Sequence, residues 1–73
     1  MSNKANNIKP LTITEADLVE LAFQDAMDMG DTWDDGVQWA IDAVADERGN
    51  GPWLTAPAIA AEIHAIGEEV FGA

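Results

Sequence analysis

The sequence predicts an all-α protein: a small three-helix bundle over residues 12–73, behind a flexible N-terminal arm over residues 1–11. Three observations predict it. Apolar residues recur at the i, i+3, i+4, i+7 spacing of a helix face through three segments. Strong breakers, Gly30 and the run Gly49-Asn50-Gly51-Pro52, separate those segments. No stretch alternates polar and apolar residues with the period of two that a half-buried strand needs. A chain of 73 residues makes one domain.

The arm, residues 1–11, has no period and contains three Asn. Ile8, Leu11 and Ile13 are the residues that would pin it to the core. Helix 1 is expected over residues 15–29, with Thr14 as N-cap, Asp17 three residues on, and Gly30 at the C-terminal stop. Its stripe reads Leu18, Leu21, Ala22, Ala26 and Met29, widened by Val19, Phe23 and Met27. Helix 2 is expected over residues 33–48, capped by Asp31 or Thr32, with Asp34 and Asp35 at the end of the dipole that favours anions. Trp33, Val37, Ala40, Ile41 and Val44 form its apolar face. Gly36 costs about 1 kcal/mol against Ala there and opens room for another backbone. Arg48 complements the dipole and Gly49 ends the helix. Helix 3 is expected over residues 56–71, with Thr55 as N-cap, Pro57 in the first turn, and Leu54 and Ile59 placed as a hydrophobic staple. The predicted core is Leu18, Leu21, Ala22, Met29, Val37, Ile41, Val44, Ile59, Ile63, Ile66 and Val70.

So short a chain buries a small fraction of its surface and builds a thin core. It has no Cys, hence no disulfide and no thiolate metal site, and its one His cannot hold zinc alone. Hydrophobic residues nevertheless make up 48 %, which separates it from disordered acidic chains. No apolar run reaches membrane-spanning length and no signal segment opens the chain, so a cytoplasmic location is expected.

Catalytic chemistry is poorly provided for, and no enzyme activity or cofactor is expected. The one Ser, Ser2, lies in the arm, and neither Cys nor Tyr occurs. His64, four residues before Glu68, is placed as a half-buried residue bordering the core rather than as a general base, because no nucleophile stands beside it. Asp31 to Gly36 looks like the start of a calcium loop. Trp33 at the third position cannot ligate, however, and Asp42 at the twelfth is too short to replace the usual bidentate Glu. Ala16 to Leu21 resembles the prosthetic-group region of acyl carrier proteins, but Leu18 stands where carriers require Ser. Helix 3 carries Glu62, Glu68 and Glu69 and no cation, which excludes a DNA recognition helix.

Charge is the dominant feature. From residue 10 onward, fourteen acids face one cation, Arg48. Such a field repels nucleic acid and anionic membranes and attracts a basic surface. Eight acids fall in residues 25–47. Asp28, Asp31, Asp34 and Asp35 crowd the corner between helices 1 and 2, while Asp35, Asp42 and Asp46 share the outer face of helix 2 with Trp39. A Trp among acids has the composition of a binding hot spot; the alternatives are that Trp39 packs under the arm or against Trp53. These seven residues, Asp28, Asp31, Asp34, Asp35, Trp39, Asp42 and Asp46, are the candidate partner-binding set. In size, charge and helicity the chain resembles small acidic phage-encoded inhibitors such as anti-CRISPR and anti-restriction proteins, with no shared motif. The resemblance implies a nucleic-acid mimic that occupies the basic cleft of a nucleic-acid-handling protein, with no direct contact to nucleic acid or membrane. The alternative is a homo-oligomeric structural, assembly or antitoxin-like adaptor. In it the small-residue side of helix 3, Ala58, Ala61 and Ala65, forms a homodimer contact.

Overall fold

A computed structural model describes residues 8–72. Residues 1–7 of the expected 1–11 arm lie outside the described residues. The chain forms α1 (Ile13–Asp28), α2 (Trp33–Arg48), a short 3-10 turn (Pro52–Thr55) and α3 (Pro57–Gly72), with no strand among the described residues. The predicted three-helix fold class therefore holds. The helices alternate in direction. Glu15 near the start of α1 meets Arg48 at the end of α2, and Phe23 late in α1 meets Phe71 late in α3. The breakers act as expected: among the described residues Gly30 and Gly49 are the two with positive φ in the left-handed region, 76° and 77°, where a side chain would be strained.

The helix starts shift. α1 begins at Ile13 because Thr12, not Thr14, is the N-cap. The Thr12 hydroxyl accepts from the Glu15 N–H at 3.1 Å, and the Glu15 carboxylate accepts from the Thr12 N–H at 2.9 Å. This reciprocal pair satisfies two donors that the helix end leaves open. α2 starts on the same motif, with Thr32 as cap and Asp35 in the Glu position. Thr55 does not cap α3. It closes the 3-10 turn, so α3 starts at Pro57, whose missing N–H would be unpaired there anyway. Leu54 belongs to that turn and is exposed rather than stapled to Ile59.

The core differs from expectation mainly in α1. Val19, Ala22, Phe23 and Ala26 are buried, whereas Leu21 is 53 % and Met29 68 % exposed and Leu18 only half-buried. The face turned inward starts from Glu15 and is rotated from the Leu stripe, because α1 wedges between α2 and α3 along the 15, 19, 22, 26 line. Ala40, Val44, Ile59, Ile63 and Val70 complete the core with Trp53, and Val37, Ile41 and Ile66 pack partly buried against it. Ile8 and Leu11 do reach the core, but Ile13 is 83 % exposed.

One side chain explains two glycines. A Cβ on Gly36 would lie 2.7 Å from the Phe23 ring, and one on Gly67 2.5 Å from it and 2.8 Å from Trp33. The room at Gly36 thus admits an aromatic ring, not a second backbone. Phe23, fully buried, is pressed against α2 and α3 at once.

Candidate functional site

α2 positions most of the predicted binding set. Val37, Ala40 and Val44 turn to the core, so the residues half a turn away must face solvent. Asp35, Trp39, Asp42 and Asp46 follow one another at i, i+4, i+7 and i+11, a single stripe on that outer face. The three Asp are exposed, and Trp39 is 36 % exposed and outside the core cluster. Gln38 steadies the stripe by donating to Asp42 at 3.2 Å. Asp35 also serves the cap of α2, accepting from the Thr32 N–H at 3.3 Å.

The other three predicted residues do not join the stripe. Asp28 lies in the last turn of α1, Asp31 in the connection and Asp34 in the first turn of α2 but off the stripe. Asp34 and Asp35 meet the favourable end of the α2 dipole. Asp28 sits at the unfavourable end of α1, whose last turn holds no basic residue. The stripe runs from Asp35 to Asp46, about 16 Å along the axis, and holds three carboxylates where one nucleic-acid strand would carry about five phosphates. It matches such a strand in sign and extension, not in charge density. Asp31 to Gly36 form no open loop, since Trp33 onward is helical. Among the described residues no group of three or more His, Asp or Glu could hold a metal ion. No described helix is long and apolar enough to cross a membrane. His64 is exposed rather than half-buried, with its imidazole edge-on to Trp33 at 5.8 Å.

The most strongly organised polar group lies elsewhere and was not foreseen. Glu15 is 5 % exposed, the one buried charged residue in the described chain. Arg48 donates from Nε to Glu15 Oε2 at 2.8 Å and from Nη2 to Oε1. The same guanidinium donates to the carbonyls of Lys9 at 3.0 Å and Pro10 at 3.1 Å, and it lies 5.8 Å above the Trp53 ring. The Trp53 indole N–H in turn donates to Gly49 at 2.7 Å. The hydrogen bonds from Arg48 outweigh burial and, with the Thr12 N–H, hold the Glu15 carboxyl down at about 2; the Glu15 carboxylate in turn pushes the Arg48 guanidinium up. Leu11 donates to Glu62, so residues 9–11 are tied to α2 and α3 rather than free as a flexible arm. Beside the pair lies a mostly apolar cleft of about 490 Å³ lined by Ile8, Thr12, Pro52 and Trp53. The chemistry of the pair is structural: nearly every donor and acceptor is spent within the fold.

No protein family, no curated protein and no solved structure matches this chain.

Proposed function

We propose that this protein is a small acidic binding module that docks the outer face of α2 onto a basic surface of a nucleic-acid-handling protein, in the place of the nucleic acid. The observation that carries the reading is the exposed stripe of Asp35, Trp39, Asp42 and Asp46 on one helix face. The carboxylates speed encounter with a cationic cleft, and the indole gives the contact a desolvated anchor that charge alone lacks. An inhibitor of the anti-CRISPR or anti-restriction kind works by such occupancy. The Ala58, Ala61 and Ala65 side of α3 is exposed as well, which keeps the homodimeric adaptor as the second reading. Glu62 and Glu69 fall on that same side and set like charges against each other in a self-pair.

The test is competition. A nucleic-acid-binding protein retained by the immobilised module should be released by duplex DNA or RNA. Trp39→Ala should speed dissociation, and Asp35→Lys with Asp42→Lys should slow association. Retention indifferent to nucleic acid and to both variants would overturn the proposal. A dimer mass in solution that Ala61→Arg abolishes would then favour the adaptor.

A further inference from the structure

The end of the bundle where α1 stops and α2 begins carries a second exposed aromatic feature. Trp33 and Phe71 stand at right angles, with centroids 5.8 Å apart and an interplanar angle of 86°. Phe23 backs both, at 5.2 Å from Trp33 and 6.0 Å from Phe71. Both rings are half-buried, so each keeps part of its surface in solvent. With Glu68 and Gly72 they line an open notch of about 430 Å³. Its walls are two π systems and one exposed carboxylate, and among the described residues no cation lines it.

That wall chemistry selects its occupant. An anion is repelled by Glu68 and by the net charge of −11. A purely apolar side chain would fill the notch at the cost of shielding the Glu68 carboxylate from water. A cation gains from both ring quadrupoles and from the carboxylate. Between the two natural cations, a guanidinium is flat, weakly hydrated and able to stack on a ring while donating sideways to a carboxylate, whereas an ammonium holds its water more tightly. The rings are also set in advance. Phe23 supports them from beneath, and the bare Gly67 lets Trp33 lie against α3, so little side-chain freedom remains to be lost on binding.

We infer that the Trp33, Phe71 and Glu68 notch binds the guanidinium of an arginine side chain on a partner protein. Trp33 lies on the core-facing side of α2, away from the Asp35, Trp39, Asp42 and Asp46 stripe, so this site stands whether or not that stripe replaces nucleic acid.

The test uses the full chain and Nα-acetyl-arginine amide as the probe, with Nα-acetyl-lysine amide and sodium chloride at matched ionic strength. The readout is the Trp33 indole N–H resonance. The arginine probe should give a saturable shift at Trp33, at least about twofold tighter than the lysine probe. Glu68→Gln, a surface change that leaves the fold intact, should weaken it about twofold to fivefold. Phe71→Leu, which stays apolar and removes the ring, should weaken it by a similar factor. Asp42→Lys with Asp46→Lys, on the far face of α2 and outside its cap, should leave it within about twofold. Equal shifts from sodium chloride, equal affinity for the lysine probe, or indifference to both Glu68→Gln and Phe71→Leu would overturn the assignment.

Discussion

The two ends of the bundle start helices with the same capping box and then hold together by opposite means. At one end Thr12 and Glu15 open α1, and the Glu is buried beneath Arg48, which also grips the carbonyls of Lys9 and Pro10. At the other end Thr32 and Asp35 open α2 on the exposed surface, and cohesion comes from Phe23, Trp33 and Phe71 packed over Gly36 and Gly67. The difference is instructive. A cap in water is replaceable, whereas a cap whose carboxylate is also half of a buried ion pair makes the whole end depend on one cation.

Removing that cation should have the largest effect. Arg48→Ala leaves Glu15 buried without its partner, which costs about 3–5 kcal/mol, enough to unfold a domain with so thin a core. Thermal melting should show it, and adding Glu15→Leu to Arg48→Met should recover much of the loss. The pair also sets a pH dependence. Folding lowers the Glu15 pKa from 4.5 to about 2, so its contribution is complete above about pH 4.5 and fades as pH falls toward 2. The stability gap between the wild type and Glu15→Gln should narrow over that window. No narrowing in urea melts at pH 6 and pH 3 would mean that the carboxylate is not held by Arg48.

At the aromatic end the sensitive positions are those with no side chain. Gly67→Ala should destabilise by about 1–3 kcal/mol, because its Cβ collides with Phe23 and Trp33 and overrides the better helix propensity of Ala. A denaturant midpoint equal to or above that of the wild type would show that the rings move aside. The smallest effect sharpens the comparison most directly. Thr32→Ala should cost about 1 kcal/mol, and Thr12→Ala more than that, since the Glu15 N–H that loses its hydroxyl acceptor is part-buried whereas the Asp35 N–H is open to water.

Helix number and the breaks between helices were legible because Gly30 and Gly49 act locally, each through its own backbone, whereas the start of α1 was misplaced because Thr12 and Thr14 both suit an N-cap, and that of α3 because the 3-10 turn takes up Thr55. The α2 stripe was legible because alternate sides of that helix differ sharply in polarity. The inward face of α1 was not. Its apolar residues spread around the helix, and Leu21 and Met29 outweigh Ala22 and Ala26 in hydrophobicity, yet the buried line is Val19, Ala22 and Ala26 with Phe23 beside it. A signal did exist: Glu15 heads the line of Val19, Ala22 and Ala26, and Arg48 ends the line of Val37, Ala40 and Val44. One acid and one cation on two otherwise apolar stripes have to find each other, although 33 residues separate them. The notch at Trp33 and Phe71 was illegible because it depends on how three helices meet.

The clasp gives the protein its own reporter of opening. Lys4, Lys9 and Arg48 are its only Lys and Arg residues, and Lys9 precedes Pro10, a bond that trypsin cuts poorly. Within the helical domain trypsin therefore has one useful target, and to be cut there Arg48 must leave Glu15 and enter the pocket of the protease. Each cleavage after Arg48 requires a release of that end. Under brief digestion with ample reclosing, the cutting rate measures the fraction of molecules unclasped, without a dye, a label or a denaturant.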